Sequence, residues 1–168
     1  AWASQSKVLH NGTMSLNYET SRGCWWGEKH HCTFCGLNGE GMISREKTPD
    51  RIIDELKELL AKHPTNIVTM TDNIMPRKYF RTLLPRLPKE LPGITIMYEQ
   101  KANLSLQQVQ TLMRAGIREI QPGIEALSTG LLKLMKKGTT AAQNISLLRY
   151  ARASGLRLHW NLLVGFPN

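Results

Sequence analysis

Three things are scarce in this sequence, and each scarcity narrows its class. No apolar run approaches the roughly 18 to 20 residues that cross a bilayer; the longest, near Leu162 to Phe166, is the length of a strand. No charged-then-apolar leader opens the chain, so neither a membrane span nor a secretory signal is expected. Cysteine is limited to three residues, which cannot all pair, and two of them stand three apart. A disulfide framework is therefore a poor reading, and a metal or redox site in the reducing cytoplasm is a better one. Acidic residues are the third scarcity: 13 Asp and Glu face 22 Lys and Arg in 168 residues, a net charge of +9.

That deficit is uneven. From residue 101 onward nine Lys and Arg stand against two Asp and Glu, a balance of +7. Such a field suits nucleic acid, an acidic peptide or a phosphorylated ligand. However, Lys133, Lys136, Lys137, Arg149, Arg152 and Arg157 fall mostly on predicted helices, without the interleaved aromatics of a single-strand stacking platform. Solvated helical faces are the simpler reading, and nucleic acid is not the expected partner. The length bounds the chain to about one domain with a sizeable core. It opens at Ala1 without a methionine and stops at Asn168, directly after the strand-like run from Leu162 to Pro167. It is expected to be a piece of a longer protein, with a missing element covering that last strand edge.

Residues 1–15 are polar without a clear period and read as a lead-in segment, and Leu16 to Thr20 is a short candidate strand. Thr48-Pro49-Asp50 offers an N-cap, a proline at the first helical position and an acid on the positive end of the helix dipole. Ile52, Ile53, Leu56, Leu59 and Leu60 then recur at helical spacing. Asn66 to Met70, Ile94 to Glu99, Ile117 to Gln121 and Leu156 to Gly165 read as strands. Between them fall predicted helices over Lys78 to Leu87, from the capping box Ser105-Leu106-Gln107-Gln108 to Gly116, over Thr129 to Lys137 and over Thr140 to Ala153. Five strands alternating with helices imply an α/β fold with a parallel sheet, either doubly wound or part of a (β/α) barrel. Either way the ligand site belongs at the carboxyl ends of the strands.

The densest chemistry lies in Ser21-Arg22-Gly23-Cys24-Trp25-Trp26-Gly27-Glu28-Lys29-His30-His31-Cys32-Thr33-Phe34-Cys35-Gly36, directly after the first strand. Thiolates at C-x7-C-x2-C spacing suit zinc or an iron-sulfur cluster. A closed zinc site needs a fourth ligand, which only His30 or His31 could supply; a [4Fe-4S] cluster on three thiolates leaves one iron open.

Gly23-Cys24, Cys32-Thr33-Phe34-Cys35 and their place after the first strand resemble the radical S-adenosylmethionine (SAM) superfamily. The first gap is longer than that superfamily's usual C-x3-C-x2-C. This longer gap, with Gly-Cys-Trp-Trp-Gly and the Cys-Gly-Leu-Asn run from Cys35 to Asn38, is similar to the bacteriocin-type maturases of ribosomal peptides associated with cobalamin-dependent C-methylation. The resemblance implies a partial (β/α)6 barrel truncated after about the fifth strand, with residues 16–168 as an incomplete radical SAM core. It implies that Cys24, Cys32 and Cys35 ligate three irons while SAM binds the fourth, and that SAM is cleaved reductively to start modification of a peptide. A precursor peptide and an electron donor such as flavodoxin or ferredoxin are the implied partners. Cobalamin is implied as a further cofactor, although its region precedes the barrel in such proteins and the 23 residues before Cys24 do not contain it.

The same resemblance assigns the remaining site residues. Phe34 would lie beside the adenine of SAM, or form an aromatic lid over the cluster. Asp72, with Asn73, follows the second strand where a polar acceptor for the SAM ammonium is expected, although Asp-Asn is also an ordinary turn pair. Gln121 and Glu125, in Gln121-Pro122-Gly123-Ile124-Glu125, resemble a segment near the ribose and carboxylate of SAM. Asn161 and Gly165 belong to the fifth-strand element that passes the adenine, where Gly165 would permit close backbone approach. Glu99, Lys101 and Glu125 are better cavity residues than core residues, because a charge in an apolar sheet is costly unless paired or wet; a Glu99 to Lys101 surface pair is the plain alternative. Leu163 and Val164 read as buried strand residues, and His159 as a satisfied core imidazole. The rival functions are a zinc-stabilised binding module and a radical SAM enzyme acting on RNA.

Overall fold

The computed structural model describes residues 9–10, 13–36 and 42–166; Leu37, Asn38 and Pro167 of the motifs above, and most of the lead-in segment, lie outside them. The chain begins with a small antiparallel ribbon, β1 (Leu9–His10) against β2 (Thr13–Met14). β3 (Leu16–Tyr18) then opens the central sheet. β4 (Ser21–Arg22) and β5 (Arg45–Glu46) pair antiparallel across the cysteine segment, which carries the single-turn helix α1 (Gly27–His30). α2 (Pro49–Lys62) follows, then β6 (Ile67–Met70), α3 (Tyr79–Thr82), α4 (Leu87–Glu90), β7 (Thr95–Lys101) and α5 (Leu106–Arg114). β8 (Ile117–Gly123), α6 (Thr129–Leu134), α7 (Ala141–Ser154) and β9 (Arg157–Leu158) complete the order.

β3, β6, β7, β8 and β9 form one parallel sheet in sequence order. A doubly wound sheet reverses its order at a switch point, whereas a barrel adds each strand on the same side. The unreversed order therefore makes this a partial (β/α) barrel.

Local sequence explains the helices. Thr48 Oγ1 accepts from the Arg51 amide at 3.4 Å with Pro49 at the first helical position, and Ile52, Ile53 and Leu56 are fully buried. Ser105 and Gln108 exchange both bonds of a capping box at the start of α5. Thr140 and Gln143 do the same for α7, which ends on the left-handed Gly155. These helices close over Val68, Ile96, Tyr98, Ile117 and Ile120 of the sheet, and Leu112, Leu147 and Ala151 join the same core. Apolar burial of this kind supplies the main driving force for folding.

Two expectations need correction. The single helix expected over Lys78 to Leu87 is two short ones, α3 and α4, because Pro85 falls between them and cannot donate an i to i−4 bond. The strand expected over Leu156 to Gly165 is confined to Arg157 and Leu158. Beyond them the chain follows β8 through separate bonds, His159 N–H to the Ile120 carbonyl at 3.0 Å and Leu163 N–H to the Glu125 carbonyl at 2.8 Å. With no second neighbour among the described residues, Val164 is 87% exposed rather than buried, and Leu163 is half-buried against Ala126, Leu132 and Met135.

Candidate active site

The thiols are placed by three sets of contacts. At its base the cysteine segment is clasped by the β4–β5 pair, where Cys24 N–H donates to the Met42 carbonyl at 3.3 Å. Gly23 sits at φ +85° with the Ile43 carbonyl so close that any β-carbon would collide with it. At its far side the segment is bound to the turn after α6. Thr33 N–H donates to the Met135 carbonyl at 3.1 Å, and Trp26 Nε1 donates to the Lys136 carbonyl at 3.1 Å. Trp26 also packs flush on Gly138, which has φ +67° and no room for a side chain. Trp25 holds the third side, donating to the Met75 carbonyl at 3.1 Å with the Arg77 guanidinium 4.3 Å from its ring centroid.

These ties bring Cys24, Cys32 and Cys35 to one cavity of about 290 Å³, at the small end of ligand sites. All three thiols are free, Cys32 buried and the others half-buried. The cavity stands at the carboxyl ends of β7 and β8, where Glu99, Gln100, Lys101, Gln121, Pro122 and Gly123 contribute to its wall. Phe34, Asn73, Glu125, Lys137 and Asn161 complete most of it.

Positive charge gathers beside the thiols. Lys101 is buried, stacks 3.5 Å from the Trp26 ring centroid and donates to the Lys137 carbonyl. Lys137 pairs with Glu125 at 2.9 Å and lies 5.4 Å from the Phe34 ring centroid. Burial and the neighbouring Lys137 hold Lys101 down to about 8, while Cys32 and Cys24 pull the other way. The Cys32 thiol is pushed up by burial, against the pull of Lys137 and Lys101 toward thiolate. Burial, then the charge of Asp72, pushes Glu99 up. Its carboxylate has no hydrogen bond or ion pair among the described residues, so the alternative of a Glu99 to Lys101 surface pair is not formed and both stand in the cavity wall as expected.

Of the sequence-derived site residues, Phe34, Asn73, Glu99, Gln121, Glu125 and Asn161 line the cavity with the three cysteines. Asp72 does not. It is 1% exposed, and its carboxylate accepts from Thr20 N–H at 2.9 Å, Thr20 Oγ1 at 2.6 Å, Ser21 Oγ at 2.5 Å and Tyr98 Oη at 3.3 Å. Filled by protein donors, it locks β6, β7 and the start of the cysteine segment together. Gly165 is exposed at φ +72°, with open space at the position of a β-carbon, and does not belong to the cavity wall. His159 is likewise exposed, its Nε2 2.9 Å from Glu119 on β8, rather than a core imidazole. Sequence reasoning left Trp26, Gln100 and Lys137 unassigned to the site. The Trp-Trp pair beside Cys24 was a signal; nothing local distinguishes Lys137 from the other helix-end cations.

A scan against family models matches residues 18–168 to the radical SAM superfamily. The chain belongs to the radical SAM superfamily. It is 26% identical over 153 residues to an uncharacterised methyltransferase of Pyrococcus horikoshii, covering 89% of this chain and 32% of that protein. Among solved structures it superposes on the cobalamin-dependent SAM radical enzyme OxsB with bound aqua-cobalamin at a TM-score of 0.75 and 24% identity, covering 88% of this chain and 23% of that one. TsrM, a radical SAM methyltransferase from Kitasatospora setae solved with tryptophan substrate and a SAM analogue, gives 0.74 at 20% identity, covering 92% and 31%. These two likenesses confirm the barrel. The radical SAM chain thus spans about a third or less of the length of these proteins.

A [4Fe-4S] cluster and SAM, implied by the radical SAM fold, suit the residues present. Three soft thiolate donors share one cavity with two ammonium groups that favour ionised sulfur, and Gly27 N–H donates to Cys24 Sγ at 3.3 Å. Among the described residues no group of three His, Cys, Asp or Glu, the three thiols included, stands close enough to hold a single ion, and neither histidine of the segment joins the thiols. His30 instead stacks on Trp26 at 4.2 Å and, like His31, is exposed. No residue group here is assigned to cobalamin. Among the described residues no helix is long and apolar enough to cross a membrane.

Proposed function

We propose that this chain is the cofactor-binding core of a radical SAM enzyme that C-methylates a ribosomally made peptide. The observation that carries the reading is that three free thiols and a set of uncommitted polar groups line one cavity. When bound, the cluster supplies the electron for reductive cleavage of SAM. Cys24, Cys32 and Cys35 hold it, and the chain's other groups position the cosubstrate. The Glu99 carboxylate and the Asn73 amide are placed to accept from the SAM ammonium, because both stand in the wall and Glu99 is unpaired. Lys101 faces the carboxylate of SAM or the ionised sulfurs, and Lys137, fixed by Glu125, flanks Phe34, whose ring bounds the space for the adenine. Trp26 and Phe34 keep water from the thiols.

Methyl transfer draws support from the Pyrococcus methyltransferase and from the fold shared with OxsB and TsrM. Cobalamin, if the longer protein binds it, is held outside these residues. Peptide modification draws support from the Trp-rich cysteine segment. The +7 second half suits acidic partners, both the precursor peptide and a small acidic electron carrier such as flavodoxin or ferredoxin. That charge also favours a second reading, an RNA substrate, which predicts affinity falling steeply with salt.

The test is anaerobic reconstitution with iron and sulfide, followed by electron paramagnetic resonance of the reduced protein with and without SAM. A cluster signal that shifts on adding SAM and is absent from a folded Cys32→Ala variant is the expected result. One zinc per chain and no paramagnetic signal would overturn the assignment.

A further inference from the structure

A second crevice of about 480 Å³ opens beside the cofactor cavity, between the segment from Met75 to Thr82 and the start of α5. Gln100 and Lys101 belong to the walls of both spaces, so the two share a partition. Arg77, Lys78, Arg81 and Lys101 line the crevice, and no acidic side chain does. Two of these cations are engaged. Lys78 is 2.5 Å from Glu46, and Lys101 stacks on Trp26 while donating to the Lys137 carbonyl. The other two are not spent on carboxylates. Arg77 rests over Trp25, a geometry that leaves guanidinium N–H groups for a ligand, and the Arg81 side chain is exposed with no partner among the described residues. Arg77 also adds to the positive field at Lys101.

The partition supplies an independent sign of a ligand. Gln100 is 6% exposed, yet its Nε2 has no hydrogen-bond partner among the described residues. A buried amide left unmatched is costly, and native structures keep few of them. The rest of the wall alternates apolar Phe80 and Leu104 with the amides of Asn103 and Gln108. Such a mixture matches the side chains and backbone of an extended peptide. A nucleobase finds less here, because Arg77 already covers a face of Trp25.

We propose that this crevice is a second substrate subsite, which takes a carboxylate side chain of the peptide between Arg77 and Arg81 while Gln100 at the partition donates to a peptide carbonyl. It rests on the peptide reading above. The anchored carboxylate fixes which neighbouring residue of the peptide reaches the cofactor cavity.

The test uses the full-length enzyme with its cluster reconstituted. A fluorescein-labelled decapeptide of alternating Glu and Ala, its analogue with Gln for Glu, and a labelled RNA decamer are titrated by anisotropy. The Glu peptide is expected to bind about tenfold tighter than the Gln analogue, since charge-assisted bidentate pairs are the strong ones. Arg77→Ala/Arg81→Ala loses that margin, whereas Lys89→Ala, an exposed cation on α4, keeps it. Gln100→Leu weakens both peptides alike. Equal affinity for the two peptides, or an unchanged margin in the double variant, would overturn the subsite and leave the peptide reading standing. RNA binding that neither peptide displaces would overturn both. The SAM-dependent change in the cluster signal persists in Arg81→Ala alone, a residue outside the cofactor cavity; its loss there would make that arginine part of the cofactor cavity and overturn the subsite.

Discussion

The carboxylates of Asp72 and Glu99 stand near the ends of the neighbouring strands β6 and β7, and they are treated in opposite ways. Asp72 is sealed from water and accepts from a backbone amide and three hydroxyls. Glu99 is half-buried, has no such partner, and shares its wall with the orphaned amide of Gln100. A buried charge with several donors cements a fold, whereas a desolvated charge without them is a cost that a ligand can offset. Matching marks the scaffold and mismatch marks the site.

The largest effect separating the two regions is expected at Asp72. Asp72→Ala removes the acceptor for Thr20, Ser21 and Tyr98 in one step, and should cost on the order of 3 kcal/mol in denaturant unfolding, as buried polar networks do when broken. A loss below about 1 kcal/mol would remove Asp72 from the scaffold.

An intermediate effect is expected in acid. Glu55 on α2 is held down to about 2 by hydrogen bonds from Lys47, Tyr18 and Arg51. A carboxylate whose folded value lies below its unfolded value of about 4.3 adds stability that is fully present above that value. The contribution is lost as pH falls toward 2. Unfolding measured between pH 6 and pH 3 should therefore lose less stability in Glu55→Gln than in the parent. Parallel pH curves would show that Glu55 is not matched in the way Asp72 is.

The smallest effect on stability is expected at Glu99. Because burial and the nearby Asp72 raise its folded value, its charge opposes folding once pH passes the unfolded value, the reverse sign to Glu55. Glu99→Gln should leave unfolding within about 0.5 kcal/mol of the parent or slightly stabilise it, while SAM binding to the reconstituted protein weakens. A large loss of stability would place Glu99 with the scaffold.

Much of the scaffold was legible because its signals are local. The caps at Thr48 and Ser105, and the glycines at 116 and 155, depend on residues within a turn of one another. The three cysteines were legible because thiols at that spacing have few other uses. What was illegible depends on distant partners. Asp72 and Asn73 look equivalent in sequence, and only the packing of Thr20, Ser21 and Tyr98 around one of them leaves the other to the cavity. Lys137 differs from Lys133 only because the turn after α6 folds onto the cysteine segment. The β4–β5 pair has two residues per strand, too few to show an alternation. The last strand was overread because apolar residues alone do not keep one regular with a neighbour on one side, β8, and no second among the described residues.

The tryptophan at position 26 has a consequence for the order of assembly. Its indole is tied to Lys136, 110 residues further along the chain, and Thr33 to Met135. These two of the ties that place the thiols therefore wait until α6 has been synthesised and docked, contacts of high sequence separation that are slow to form. Iron offered before docking meets Cys32 and Cys35 as a local pair; iron offered after docking meets all three thiols in one cavity. The fully tied cavity is thus a record of folding, present only in chains whose α6 turn is already in place.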